Sequence, residues 1–455
     1  MEGTFDFVVI GAGGGGEAAA HYARARGASV AIVDRELFGG SCPFWACMPS
    51  KTLLHAAEVR AHGGEYPWAK ASDRRDYMIV REGRDVPDDS GHVRGLEGAG
   101  ATAVRGIARL VGPGTVEVSH EGATHRLAAK HIVLAIGSTG KVPPIPGLEE
   151  AGYWSNREAT SARELPQSLV VLGAGPSGVE IAQYYARFGV RTVIVAPRQV
   201  NPSDHPRSSA LLAEVLRGSG VDVREGVRAK RVGARGGADG AHVVELSDGT
   251  AVEGHVIQLS VGRTAAPALR ALGLEAIGVP YDGMADTLTV GDDLRVADHV
   301  YAVGDVIGHE LSTHLAHYAG ETAVRIALGD DVRAEFGATP RVVYTDPPFA
   351  AVGLTLQQAQ ERGLDALEET QDLATSAPGY VGEFGGHATI TVDRATKKLI
   401  GAFIAGPGAG EAIHESVLAL RLGTTVDVLA ETVHAFPTVA RVMGSLFAKV
   451  AFDLR

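Results

Sequence analysis

The sequence holds only two cysteines, Cys42 and Cys47, among 455 residues. No framework of disulfides can therefore staple the fold. A close pair of thiols in a reducing compartment points instead to redox or metal chemistry. Long apolar runs are missing too: none reaches the ~20 residues that span a bilayer. The first apolar stretch, Phe7 to Ile10, stops at once in glycines, without a charged leader before it or a cleavage site after it. The expectation is a cytoplasmic protein with no membrane partner. Basic residues are scarce: 42 Lys and Arg stand against 54 Asp and Glu, a net charge of −12, with no basic block. Nucleic acid is set aside as a partner, because phosphate contacts need clustered Lys and Arg.

Glycine, by contrast, is abundant, with 59 residues, as suits many tight strand-to-helix turns. The length suggests about two to four domains. One arrangement occurs twice. Phe7-Val-Val-Ile10 runs into Gly11-Ala-Gly13-Gly-Gly-Gly16 and a small-residue helix over 17–26, then a strand over 29–33. Leu169-Val-Val-Leu172 runs into Gly173-Ala-Gly175-Pro-Ser-Gly178 and a helix over 179–188, then a strand over 192–195. Each is the opening of a dinucleotide-binding βαβ unit. The first glycine makes the turn, the second lets backbone approach a pyrophosphate, and the third packs helix on strand. The helix N-terminus supplies amides and dipole to the phosphates. The alternative is a pair of close-packed turns that bind nothing.

Asp34 closes the second strand of the first unit and is placed to accept bonds from an adenosine ribose. The second unit has Val195-Ala-Pro-Arg198 there instead. An acid selects a free 2′-hydroxyl and an arginine accommodates a 2′-phosphate, so NADPH is preferred to NADH. A solvated surface role for Arg198 is the competing reading. Further on, a strand over 132–136 leads into Gly137 and a proline-rich exit. Val300 to Val303 ends in Gly304-Asp305 before an amphipathic helix over 312–328. From Arg341 the pattern changes to strands over 388–392 and 399–405 with helices over 410–422 and 426–432, a separate α+β domain. The fold expected is α/β: two doubly wound dinucleotide-binding domains plus a C-terminal α+β dimerisation domain.

The cysteines lie in Gly39-Gly40-Ser41-Cys42-Pro-Phe-Trp-Ala-Cys47-Met-Pro49-Ser-Lys51. Pro43 biases Cys42 away from helical backbone and suits a first helical position, which puts Cys42 at a helix mouth where a thiol pKa falls. A five-residue step along a regular helix is too long for a disulfide, so an irregular entry after Pro43 is required to bring the pair together. Two buried, unreactive cysteines are the bland alternative.

This stretch resembles the redox signature of the FAD-dependent pyridine nucleotide–disulfide oxidoreductases, the family of dihydrolipoamide dehydrogenase, glutathione reductase and mercuric reductase. The likeness covers nearly the whole chain: both glycine turns, the cysteines, Gly304-Asp305, and Tyr344-Thr-Asp-Pro-Pro-Phe-Ala-Ala-Val-Gly-Leu-Thr355 at the start of the family's dimerisation domain. It implies a homodimer divided into a first FAD segment (1–151), an NAD(P) domain (152–275), an FAD return (276–337) and an interface domain (338–455). It implies Cys47 as the flavin-proximal charge-transfer thiol and Cys42 as the exposed interchange thiol that attacks a small-molecule substrate. Lys51, paired with Glu180, would lie near flavin N5, and Asp305 would hold the ribitol. The helix with Ala316 and His317 would aim its N-terminus at the flavin pyrimidine, although His317 by itself reads equally well as a structural histidine. Gly40, Ser41, Gly137 and Gly304 complete the expected FAD contacts, and Gly262 belongs with the cofactor-binding set. No metal site is expected.

The resemblance breaks near the C-terminal end. The family carries a catalytic histidine before a Pro-Thr, with a glutamate five residues later. Here the segment reads Val433-His434-Ala-Phe436-Pro437-Thr438-Val-Ala-Arg441. Phe436 stands for the histidine and Arg441 for the glutamate, so an acid/base step worth about 10²–10⁴-fold is missing. Three explanations compete. His434, two residues earlier, substitutes. Or protons are excluded by design, as in the similar 2-ketopropyl coenzyme M oxidoreductase/carboxylase, whose phenylalanine protects a carbanion for CO₂. Or the acceptor, such as a quinone, needs no thiol protonation. A flavoprotein that senses nucleotide without turnover is a further class. Mercuric reductases and high-molecular-weight thioredoxin reductases are set aside, because they pass electrons to a later cysteine or selenocysteine pair and no cysteine follows Cys47.

Overall fold

The computed structural model describes residues 2–80, 86–233, 236 and 240–455. They pack as two compact units: the described residues of Met1–Ser50, Ser72–Lys141 and Gly262–Phe336, and those of Lys51–Ala71, Val142–Val261 and Gly337–Arg455.

In the first unit the strand Glu2–Ile10 is central. Phe7, Val8 and Val9 are fully buried, the continuous apolar run of a strand covered on both faces. Val30–Asp34 pairs with it in parallel on one side and Ala123–Leu134 on the other. The sheet continues through Thr102–Arg105 at one edge, and through Val300–Ala302 and Arg295–Ala297 at the other. The chain leaves Ile10 between two neighbours reached by opposite connections. That is a topological switch point, where open α/β sheets bind ligands at the carboxyl ends of their strands. The helix Gly14–Ala25 follows at once. It begins three residues before the expected position, because glycines that read as turn already form its first residues. The expected strand over 132–136 is the end of the longer Ala123–Leu134.

The second unit repeats the plan. Ser168–Leu172 is central to a parallel four-stranded sheet, flanked by Arg191–Ala196 and Val256–Leu259, with Val221–Glu225 outside. The helix Pro176–Arg187 follows its glycine turn, with Pro176 in the first turn where a missing amide costs nothing. The same unit holds a five-stranded antiparallel sheet in the order Arg341–Val343, Phe349–Gly353, Leu399–Ala405, His387–Asp393, Ala366–Asp372. Helices Ala409–Leu422 and Val439–Asp453 cover it, and Ile390, Ile404, Ile413, Leu446 and Phe447 form its core. Val426–Glu431 is the helix expected over 426–432. No helix among the described residues is long and apolar enough to cross a membrane.

Candidate active site

The first glycine turn has the form a pyrophosphate cradle needs. Gly11 sits at φ +101°, where a Cβ would stand 2.2 Å from the Ala135 carbonyl oxygen, and a Cβ on Gly16 would stand 1.8 Å from that of Gly11. The helix Gly14–Ala25 has Gly13 as N-cap with no side chain bonding its first amides. Those amides are available to an anion, and no Cβ blocks the approach. FAD therefore fits the residues present. Asp34 is already engaged: its carboxylate accepts from the amides of Ala12 and Glu36, each at 2.8 Å. Burial pushes the Asp34 carboxyl up, against the downward pull of those two amides. Asp34 thus holds the glycine turn as well as standing at the strand end where a ribose would lie.

The helix Thr313–Ala327 packs on Gly14–Ala25 at glycine contacts. A Cβ on Gly320 would lie 2.2 Å from the Gly15 oxygen, and a Cβ on Gly14 would lie 2.8 Å from the His317 ring. His317 is accordingly exposed and set against the first turn of the fingerprint helix, and Ala316 lies beside Gly15. Asp305, in the turn Gly304–Ile307, accepts from the Ser138 hydroxyl at 2.5 Å, with Arg263 3.5 Å away. Gly137 and Gly262 border this group, each at positive φ. Ser138 and Arg263 escaped the sequence reading, having no motif of their own.

Cys42 is not outside a helix. It is the second residue of the helix Ser41–Trp45, whose N-cap is Gly40. Pro43 is tolerated there because a first-turn amide has no intrahelical partner to lose. The irregularity falls later, at Ala46, with φ −130° and ψ −97°, and Cys47 opens the next helix, Cys47–Ala61. Both cysteines are half-buried thiols. The Cys47 sulfur lies 3.4 Å from the hydroxyl of Thr313, the first residue of the helix bearing Ala316 and His317.

In the second unit Lys51 Nζ meets Glu180 Oε2 at 2.8 Å, as the family spacing implied, with the Glu180 side chain only 5% exposed. Glu180 Oε1 accepts from the Tyr344 amide at 2.9 Å, and the Lys51 ammonium stands 4.6 Å from the Tyr344 ring centre. Tyr344 carries no motif of its own, and these two partners, Lys51 and Glu180, come from distant stretches of chain. The second glycine turn repeats the first, with Gly173 at φ +102° and an uncapped helix start at Gly175. A Cβ on Gly178 would stand 2.2 Å from the Gly173 oxygen. Arg198 is exposed two residues beyond the strand Arg191–Ala196.

The segment that departs from the family is divided in its exposure. The Phe436 ring is 74% exposed. The His434 side chain is 6% exposed, with Nε2 2.9 Å from both oxygens of Glu415. A Cβ on Gly444 would press on its other face at 2.6 Å. His434 is held in place, which counts against its swinging out as a substitute. Arg441 bonds Ser445 along its own helix.

The chain is similar in sequence and fold to known proteins. The family model described as pyridine nucleotide-disulphide oxidoreductase matches residues 5–323, and that of its dimerisation domain matches residues 339–446. Dihydrolipoyl dehydrogenase of Thermus scotoductus is 35% identical, over 96% of this chain and 95% of that protein. Mercuric reductase of Streptomyces lividans is 32% identical, over 96% and 94%. The structure of LpdA from Mycobacterium tuberculosis superposes with TM-score 0.87 at 25% identity, covering 98% of this chain and 99% of that one. The HOCl-induced flavoprotein disulfide reductase RclA from Escherichia coli shares the fold, with TM-score 0.84 at 24% identity over 98% and 100%. Glycine turns, cysteine pair and matching domains together lead to one conclusion: the chain belongs to the pyridine nucleotide-disulphide oxidoreductases and is an FAD-binding, NAD(P)H-dependent enzyme of that family.

Proposed function

We propose that Cys42 and Cys47 reduce, or reductively cleave, a small sulfur-containing substrate with electrons drawn from NADPH, without the family's imidazole–carboxylate pair. Bound FAD supplies the two-electron relay between nicotinamide and sulfur. Gly11, Gly13 and Gly16 would hold its pyrophosphate and Asp34 its adenosine ribose. Gly40, Ser41, Gly137 and Asp305 would line the remainder, with Ala316 and His317 at the pyrimidine and the Lys51–Glu180 pair beside N5. Gly173, Gly175 and Gly178 would hold the nicotinamide coenzyme, and Gly262 belongs with the cofactor-binding residues. The preference for NADPH rests on Arg198 and on Ala196 standing where the first unit has Asp34. The division at 151, 275 and 337, a cytoplasmic location and assembly as a homodimer belong to the same reading. Exposed Leu418, Leu422, Val433 and Phe436 on the dimerisation domain support the last.

One observation carries the proposal: the exposed side chain of the segment 433–438 at the catalytic position is a phenyl ring, while the nearby imidazole is clasped by Glu415. A phenyl ring moves no proton. When Cys42 as thiolate opens the substrate, no protein acid stands at that position to quench the departing anion, which solvent or CO₂ then captures.

An NADPH-driven acceptor panel tests this. Lipoamide and glutathione disulfide should turn over barely above background, and Phe436→His should raise both by about 10²-fold or more. Equal rates for wild type and variant would contradict the reading. Quinone reduction that survives loss of both cysteines would favour an acceptor reductase, and a CO₂-dependent product would favour carboxylation.

A further inference from the structure

His92 belongs to neither glycine turn nor the cysteine motif, yet its ring rests on the motif. It lies in the helix Ser90–Gly98. A Cβ on Gly39 would stand 2.7 Å from the imidazole, and the Phe44 ring centre is 5.8 Å from that of His92. Phe44 is the buried residue between the two cysteines. On another side, His92 Nδ1 meets Glu17 Oε1 of the fingerprint helix at 2.9 Å. One side chain thus touches the fingerprint helix, the glycines before Cys42 and the aromatic residue between the sulfurs.

Asp89 grips the same loop from a second direction. It occupies the N-cap position of the Ser90–Gly98 helix, yet its carboxylate makes no capping bond. Instead it accepts from the Phe38 amide at 2.9 Å and from Arg105 at 2.6 Å. Arg105 also donates to the Glu36 carbonyl and covers the Phe38 ring at 4.7 Å. The loop 36–39 is held along its length before the chain enters the cysteine helix.

We propose that His92, backed by Glu17 and Asp89, is a positioning residue that keeps the Gly39–Phe44 stretch in place, so that Cys42 stays within bonding reach of Cys47. This sets the equilibrium between dithiol and disulfide, and it rests on the redox-pair reading above. A disulfide needs α-carbons about 4.4–6.8 Å apart. Cys42 and Cys47 stand on separate helical pieces joined at Ala46, so their approach depends on what holds the first piece. A held segment loses less conformational entropy when the S–S bond forms. Releasing it lowers the effective concentration of one thiol against the other and favours the dithiol.

The test equilibrates the purified, FAD-loaded enzyme with glutathione redox buffers. One protein dithiol and one glutathione disulfide give one protein disulfide and two glutathione thiols, with two electrons and two protons leaving the protein sulfurs. His92→Ala should shift this equilibrium about tenfold toward the dithiol, a rise of about 30 mV for a two-electron couple, with flavin content unchanged. Glu17→Gln, which keeps the ring contacts, should shift it the same way by about threefold. If His92→Ala fails to fold, Glu17→Gln decides. A wild-type equilibrium reproduced by the variants overturns the clamp alone. A wild type that keeps two thiols at every glutathione ratio overturns the redox-pair reading and the clamp with it.

Discussion

The two glycine turns are nearly the same object built twice. Gly11 and Gly173 adopt φ +101° and +102°, and a Cβ at either would collide with a carbonyl at 2.2 or 2.3 Å. Both helices run twelve residues from an uncapped glycine N-cap. They differ in everything around that backbone. The first strand end carries Asp34, bonded to the turn, and the second carries Ala196. The first helix is pressed against a second helix through glycines. The second buries Glu180, which reaches Lys51 and the Tyr344 amide. Beyond its second strand the first unit leads into the cysteine motif. The second leads to the start of the helix Pro206–Gly218, where its N-cap His205 meets Glu368 at 2.9 Å and Ser208 meets His387 at 3.1 Å. Glycine spacing dictates the backbone that receives a pyrophosphate, and the side chains around it decide which nucleotide is held and what it reduces.

The largest effect should come from filling the turns one at a time. Gly16→Val should yield protein that retains almost no flavin. Gly178→Val should keep its flavin yet lose reduction by NADPH, read as anaerobic bleaching. Loss of flavin from both variants would break the assignment of separate nucleotides to the two turns. A smaller effect should follow from Arg198→Ala: KM for NADPH rises about tenfold, as for loss of one exposed charge-assisted bond, while KM for NADH stays put. A parallel rise for both coenzymes would return Arg198 to the role of a solvated surface residue.

The smallest effect concerns His387, in the strand His387–Asp393 of the second unit. Burial, with His205 and Arg207 nearby, pushes the His387 imidazole down to about 3. The folded protein keeps His387 neutral where the unfolded chain binds a proton, so its contribution is fully present above about pH 6.5. It is lost as pH falls toward 3, at up to about 1.4 kcal/mol per pH unit. Thermal melts between pH 7 and 4.5 should show a steeper loss of Tm for wild type than for His387→Gln. Identical slopes would remove this histidine from the acid sensitivity.

Both turns were legible in the sequence because a glycine fingerprint encodes backbone directly. So was the Lys51–Glu180 pair, but only through the family spacing. Helix starts were misplaced by three residues at Gly14 and Pro176, where residues typical of turns already belong to the helix. The irregular backbone expected after Pro43 falls three residues on, at Ala46, since alanine carries no breaker signal that would fix the position. The clasp on His434 was out of reach: Glu415 lies 19 residues away on another helix. His92 and Glu17 lie 75 apart, and nothing in either stretch marks the other as partner. Pairings made by tertiary packing leave no local period to read.

Reducing equivalents from the nicotinamide should come to rest on Cys42 and Cys47. Anaerobic titration of the FAD-loaded enzyme with NADPH, followed by absorbance and by thiol count, tests it most directly. A new long-wavelength band should appear as Cys47 becomes a thiolate beside the flavin, with a gain of two titratable thiols that Cys42→Ser abolishes. Bleaching of the flavin with neither band nor new thiols would contradict it.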